Sequence, residues 1–400
     1  MEIRDVDAAE RASVSLPLQV YAFQATPASD AQAAVFAGRH RFHEGNLTLV
    51  AEENGAAVAA ADGIPMRQNV RGAVYPMAGV AGVATAPGAR RRGYASAVVN
   101  ELLDRMRDAG HAVSTLYPFR ASFYQRFGYV GLPAARTVTF PPQAFAGLLG
   151  AGRLAADLPG EVTLTSAADG YDAYRTVTER VLACRHGFSV LPGYRASELR
   201  ENRNRWIATA WADGEPVAAM SYRITGFGGV LAASDLLAVN PLGRALLLRF
   251  FATHTDQVAS VEAVTDPAEL PELWATDLTG VVKAEVSFPA AGAPMARVLS
   301  LPALQGMAVG PQRVTIEVTG DRYLAGGYVL DGSAGALEVS KAAAGSAAVT
   351  LTAAGLSALV YGVLDPADIV IRGLGDIPAD QAERLRTLFP AQVPYLYARF

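Results

Sequence analysis

Val83-Ala84-Thr85-Ala86-Pro87-Gly88-Ala89-Arg90-Arg91-Arg92-Gly93-Tyr94-Ala95 is a short apolar segment that breaks at a proline, passes three arginines and a glycine, and enters a helical pattern. The apolar positions Val98, Val99, Leu102, Leu103 and Met106 recur at helical spacing, which predicts a helix beginning near Gly93. The first backbone N–H groups of a helix have no partner inside it, and the positive end of its dipole favours an anion. Arg90 and Arg91 add charge-assisted hydrogen bonds, and Gly93 lets the backbone approach an anion without a Cβ in the way. With Ala78 to Thr85 reading as a strand before it and Ser96 to Arg107 as a helix after it, the segment reads as a pyrophosphate cradle.

Composition narrows the setting. The chain has 400 residues, 51% of them hydrophobic, which is more than one ordinary core holds and points to several domains. A formal net charge of −4 gives no general attraction to nucleic acid or to an anionic membrane surface, so neither is an expected partner. The start, Met1-Glu2-Ile3-Arg4-Asp5-Val6-Asp7, lacks the apolar core of a signal peptide, and no later apolar run approaches bilayer length. A cytoplasmic location is expected. Cys184 is the single cysteine and the five histidines show no ligand spacing beyond His40 and His43, so no metal is expected.

Along the chain the reading is α/β (α+β) throughout. From Ser13 to about Thr139 helices and strands alternate, with Leu47 to Ala51 and Ala57 to Ala61 as a hairpin across the Asn54-Gly55 turn signal and Ala112 to Leu116 as the strand after the arginine-led helix. After a Pro- and Gly-bearing stretch, Val162 to Phe288 is mixed again. There Leu237-Ala238-Val239-Asn240-Pro241-Leu242-Gly243-Arg244-Ala245-Leu246-Leu247 echoes the opening segment with a single arginine and no glycine after it, as in a duplicated unit that has lost its anion site. From Ala296 the texture changes to short strand-like runs at Val314 to Val318, Tyr328 to Leu330, Ala336 to Val339 and Ala348 to Leu351, followed by helical stretches at Ala353 to Tyr361 and Ala379 to Leu388.

A second motif is Phe123-Tyr124-Gln125-Arg126-Phe127-Gly128-Tyr129. Arg90-x-x-Gly93-x-Ala95 between a strand and a helix resembles the acetyl-coenzyme A loop of the GNAT acetyltransferases, and this second phrase is similar to their tyrosine-bearing segment. With the weakened second unit and a third unit that resembles sterol carrier protein domains, the whole chain is similar to the enhanced-intracellular-survival (Eis) family of GNAT N-acetyltransferases. The resemblance implies tandem GNAT-like domains, at 1–139 and 140–295, followed by a sterol-carrier-like α/β domain at 296–400 whose C-terminus enters the active site.

It also implies direct transfer of acetyl from acetyl-CoA to a primary amine of a small molecule, such as an aminoglycoside-like compound or a polyamine, by a homo-oligomer, typically a hexamer. The cosubstrate would lie against Val83, Ala84, Thr85, Arg90, Arg91, Gly93, Tyr94, Ala95 and Ser96. Tyr124 would face the thioester, where a phenol of pKa about 10 can protonate a departing thiolate whose conjugate acid is near 8.5 by analogy with cysteine. Phe127 and Tyr129 read as aromatic core. Phe23, Phe36 and Arg399 would border the acceptor, and the terminal carboxylate of Phe400 would receive the ammonium.

The ending itself supports a docked tail. Val393-Pro394-Tyr395-Leu396-Tyr397-Ala398-Arg399-Phe400 carries three aromatics in its last six residues, and burying a side chain such as Phe is worth roughly 1.5–3 kcal/mol. Deprotonating an amine of pKa about 10.4 at pH 7 costs about 4.6 kcal/mol, which a nearby carboxylate of reference pKa about 3.5 eases by holding the cation and passing its proton through water. Arg399 stands where the family has an acidic residue, Ala22-Phe23-Gln24-Ala25 lacks a family aspartate, and Tyr117-Pro118-Phe119-Arg120-Ala121-Ser122 is bulkier and more basic than the family's segment. These departures favour an acceptor with an anionic or aromatic part. The alternative function is a lipid carrier or scaffold with a vestigial acetyltransferase domain.

Overall fold

The computed structural model describes residues 1–39, 43, 45–149, 158–275, 279–287 and 292–400. The chain opens with strand β1 (Glu2–Asp5), helices α1 (Arg11–Val14), α2 (Leu16–Phe23) and α3 (Asp30–Arg39), and then strands β2 (Leu47–Glu53), β3 (Ala56–Val70) and β4 (Ala73–Thr85). The turn between β2 and β3 has positive φ at both Asn54 (53°) and Gly55 (75°), the conformation of a type I′ hairpin and the reason this dipeptide occupies it. β3 runs well past the expected Ala61. Asp62, Gly63 and Pro65 hide its continuation from a reading based on alternation; pairing with β2 as far as Gly63 and with β4 to Val70 carries the strand through them.

Helix α4 (Tyr94–Asp108) connects β4 to the parallel strand β5 (Val113–Leu116), and α5 (Ala121–Gln125) leads to β6 (Val130–Gly131). The buried face of α4 is Tyr94, Val98, Val99, Leu102, Leu103 and Met106, the periodic set of the sequence. It sits close to the sheet because Gly63 has no side chain. A Cβ there would stand 2.9 Å from Leu102 Cδ1 and 3.0 Å from Met106 Sδ.

The second sheet contains β7 (Arg136–Phe140), β8 (Glu161–Ser166), β9 (Trp206–Ala212), β10 (Glu215–Ile224), β11 (Gly229–Ala233), β12 (Leu237–Ala238), β13 (Val258–Thr265) and β14 (Val281–Lys283). Its helices are α6 (Ala167–Cys184), α7 (Gly193–Arg200) and α8 (Pro241–Ala252). The echo of the opening segment lies at β12 and α8, and its helix start is closed. Pro241 brings no N–H, the side chain of Asn240 accepts the Gly243 N–H at 2.9 Å, and Arg244 is paired with Glu269 at 2.7 Å.

Strand β15 (Met295–Val298) returns to the first sheet, where the order is β1-β2-β3-β4-β5-β15-β6. The expected boundaries at 139/140 and 295/296 therefore do not coincide with the sheets. β7 belongs to the second sheet, and β15 completes the first by pairing with β5 and β6. The third sheet has β16 (Arg313–Thr319), β17 (Gly326–Asp331), β18 (Glu338–Lys341), β19 (Val349–Thr352) and β20 (Gly375–Asp376), in the order β18-β17-β16-β19-β20. It is accompanied by α9 (Ala353–Tyr361), α10 (Pro366–Ile371) and α11 (Ala379–Leu388). Among the described residues no helix is long and apolar enough to cross a membrane.

Buried polar residues tie the units together. Arg297 on β15 is 1% exposed and reaches Asp321 at 3.1 Å, while its other nitrogens donate to the Phe127 and Val298 carbonyls. His186 accepts the Arg71 N–H on Nδ1 at 3.0 Å, and its Nε2 lies 3.0 Å from the Tyr361 carbonyl, to which it donates. Burial lowers its pKa from 6.5 to about 4, so the folded chain keeps this ring neutral. An unfolded chain takes up the proton below about pH 6.5, so stability present above that pH is lost as the pH falls from 6.5 towards 4. Lowering the pH from 7 to 5 should therefore remove about 2 kcal/mol of unfolding free energy through this group alone. Urea titrations at the two pH values check this, and H186N should lack that component; the same pH slope in both proteins would refute the assignment.

Candidate active site

β4 and β5 pair in parallel from Met77↔Val113 to Val80↔Leu116, and β4 then continues to Thr85 without β5 beside it. Opposite this free edge the β3–β4 register shifts between Ala60 and Asp62, and Gly82 takes φ +60°. A Cβ on Gly82 would overlap the Asp62 carboxylate and the Gln19 amide, so both backbone conformation and crowding call for glycine. Asp62 is buried, and accepts from Gln19 Nε2 and from Thr48 Oγ1, each at 2.6 Å.

The start of α4 is open. Gly93 is its N-cap at φ +90°, no side chain caps it, and the first intrahelical bond is Ala97 N–H to the Gly93 carbonyl at 3.0 Å. This leaves the amides of Tyr94, Ala95 and Ser96 directed out of the helix end. A Cβ on Gly93 would meet nothing within 4 Å, so the space over this turn is free for an incoming group. The three arginines differ. Arg92 is bound to Glu53 at 2.5 and 2.9 Å and lies 5.2 Å from the Tyr94 ring, while the Tyr94 hydroxyl donates to the same carboxylate at 2.5 Å. Arg90 and Arg91 are exposed and have no carboxylate partner among the described residues; Arg90 lies 5.9 Å from the Tyr21 ring.

Tyr124 on α5 is 2% exposed and sits among Phe119, Phe123 and Tyr129, with ring centroids 5.4, 4.9 and 6.0 Å away. Burial pushes its phenol well above the ordinary value of 10, so the hydroxyl keeps its proton. Its neighbours in the motif are structural. Tyr129 is fully buried with its hydroxyl 2.6 Å from Ser114 Oγ, and Phe127 packs in the same core.

Tyr124 lines a cavity of about 400 Å³, together with Val80 to Val83 of β4, Asp62, Tyr117 and the last residue, Phe400. The Phe400 ring lies 5.7 Å from that of Tyr117, and a Cβ on Gly79 would come within 3.1 Å of it. The tail reaches this point along a fixed path. The Tyr395 N–H donates to the His186 carbonyl at 2.9 Å, Arg185 donates to the Val393 carbonyl at 2.8 Å, and the Tyr117 hydroxyl donates to the Ala398 carbonyl at 3.2 Å.

A larger cavity of about 1100 Å³ adjoins the first, and the two share Phe23, Tyr117, Phe119, Arg195, Glu198 and Phe400 in their walls. Arg399 lines the larger one and has no carboxylate partner among the described residues. Phe23, 51% exposed, stands at their junction. Phe36 falls on α3, but its side chain lies outside the described residues.

Sequence reasoning missed several members of this site. Asp62 is one polar residue inside an alanine-rich strand, with no motif around it. Tyr194, Arg195 and Glu198 come from α7, in a part of the chain read only as a degenerate unit. The sequence held a glycine at 82 within a strand pattern, and only the structure shows its positive φ and its close approach to Asp62 and Gln19.

The model of the acetyltransferase (GNAT) domain family matches residues 2–131. No curated protein sequence matches the chain. Among solved structures, a GCN5-related N-acetyltransferase from Kribbella flavida is 24% identical with a TM-score of 0.80, over 100% of this chain and 98% of that one. A probable N-acyltransferase from Enterococcus faecalis is 20% identical with a TM-score of 0.82, over 100% and 99%. Eis1 from Mycobacterium abscessus is 20% identical with a TM-score of 0.79, over 100% of both chains. At these identities the likeness is one of fold, and it extends over all three sheets.

Proposed function

We propose that this acyltransferase, whose residues 2–131 carry a GNAT domain, moves an acetyl group from acetyl-CoA to a primary amine of a small molecule by direct attack. The observation that carries this reading is a single cavity whose wall contains a buried protonated tyrosine, the last residue of the chain, and the part of β4 that leads on to the uncapped start of α4.

The residues fit the cosubstrate. The free amides of Tyr94, Ala95 and Ser96, with Arg90 and Arg91, suit a pyrophosphate, and the open space over Gly93 admits it. Val83, Ala84 and Thr85 offer the unpaired edge of β4 to the chain that leads from the phosphates to the thioester. Acetyl-CoA supplies an activated acyl carbon and a thiolate leaving group.

This chain's own groups do the rest. Tyr124 holds a proton in an apolar wall and delivers it to the departing sulfur, which suffers the same loss of solvation there. The Phe400 carboxylate binds the incoming ammonium and takes up its proton, directly or through a water. The aromatic wall of Phe23, Tyr117 and Phe119 and the unpaired Arg399 suit an acceptor that carries an aromatic or anionic part.

The cosubstrate site is tested by R90A/R91A. Each lost charge-assisted hydrogen bond is worth roughly 1.5–3 kcal/mol, discounted here because both side chains are exposed, so KM for acetyl-CoA should rise by about 10- to 10²-fold. An unchanged KM removes this reading of the helix start.

A further inference from the structure

Tyr397 is not in the motif or in the smaller cavity; its hydroxyl joins a buried polar cluster with Tyr174 and Asp235 of the second unit, along the wall of the larger cavity. Asp235, 4% exposed, follows β11 and has no arginine or lysine within ion-pair distance among the described residues. Its carboxylate is held by hydrogen bonds. The Ser221 N–H donates to Oδ1 at 2.7 Å, and Tyr174 of α6 donates to Oδ2. The Tyr397 hydroxyl shares its one proton between the Tyr174 hydroxyl oxygen and the same Oδ2, which lies 3.2 Å away. The ring of Tyr397 stacks on Phe188, with centroids 4.9 Å apart and planes at 2°.

Asp235, Tyr174 and Ser221 already satisfy one another inside the second unit. Bringing a further hydroxyl into that cluster from a segment at the end of the chain fixes the register of that segment, the best-attested use of a buried polar contact. The register matters because Tyr397 is three residues from the terminus and only Ala398 and Arg399 separate it from Phe400. On the other side the Tyr117 hydroxyl holds the Ala398 carbonyl.

We infer that Tyr397 is a positioning residue, and that the second unit, through Asp235 and Tyr174, is the mount that sets the reach of the Phe400 carboxylate into the acceptor cavity. The inference rests on the proposed role of that carboxylate. It gives the second unit, whose own helix start is closed by Asn240, a part in the reaction of the first.

Y397F keeps the stack on Phe188 and removes only the hydroxyl. A misplacement of about 1 Å can cost roughly 10²-fold, so kcat on a given amine should fall by about 10- to 10²-fold while KM for acetyl-CoA stays within about two-fold. Because Tyr397 acts through Phe400, Y397F should cost nothing further in a chain from which Phe400 is deleted. Two results overturn the inference alone: Y397F turning over as fast as wild type while the Phe400 deletion is slow, or losses that multiply in the combined variant. A Phe400 deletion as fast as wild type overturns the reading of the terminus itself. Should Y397F not fold, Y174F applies the same test from the other side of the contact, with the same expected loss and the same silence in the deleted chain.

Discussion

Y124F should lower kcat by about 10²- to 10⁴-fold, the range general acid catalysis contributes, with little change in affinity for acetyl-CoA. The substitution keeps the ring that packs on Phe119, Phe123 and Tyr129, so core packing is preserved and only the proton donor is lost. The phenol has no hydrogen-bond partner among the described residues, so its removal strands no neighbour. Steady-state rates at saturating amine separate the two parameters. Turnover within a few-fold of wild type would assign the acid to water or to another group.

Extending the chain by one or two residues after Phe400 should be comparably harmful. Each added residue moves the carboxylate by about 3.3–3.6 Å, several times the displacement of about 1 Å that can already cost roughly 10²-fold. The Phe400 ring is wedged between Tyr117 and the glycine at 79, so an extension has to leave through the acceptor cavity or pull the ring out. Deleting Phe400 should have a similar effect. Both changes lie away from the start of α4, so KM for acetyl-CoA should be unaltered, and a KM that rises in parallel would point to general damage instead.

What could be read from residues alone follows a physical division. The amphipathic repeat of α4, the Asn54-Gly55 turn, and the helices at Ala353–Tyr361 and Ala379–Leu388 are local signals, and each is found where the residues put it. The aromatic ending foretold a docked tail because three exposed rings would forgo too much burial. Its path could not be read, since it depends on carbonyls at His186 and Val393, on Arg185, and on a carboxylate at Asp235 that no spacing rule connects.

The strand exchanges at β7 and β15 were equally hidden. Register across a sheet is set by partners far away in sequence, and Met295–Val298 carries no mark of belonging with Val113–Leu116. The cavity walls contributed by α7 and by Asp62 arise in the same way, from packing between units. The strand, turn and helix of the opening segment were legible because they are local, and the anion site proposed there needs only a few contiguous groups: a glycine, free amides and two arginines with no carboxylate partner among the described residues.

Thiol release from acetyl-CoA, followed in the presence of a panel of primary amines and matched to acetylated amine by mass, tests the central claim most directly. Polyamines, an aminoglycoside, and aromatic amines with and without a carboxylate span the acceptor classes discussed above. Release is expected to depend on amine, with one acetylated amine formed per thiol. Release that stays at the amine-free rate across the panel would contradict it and favour the carrier or scaffold function instead.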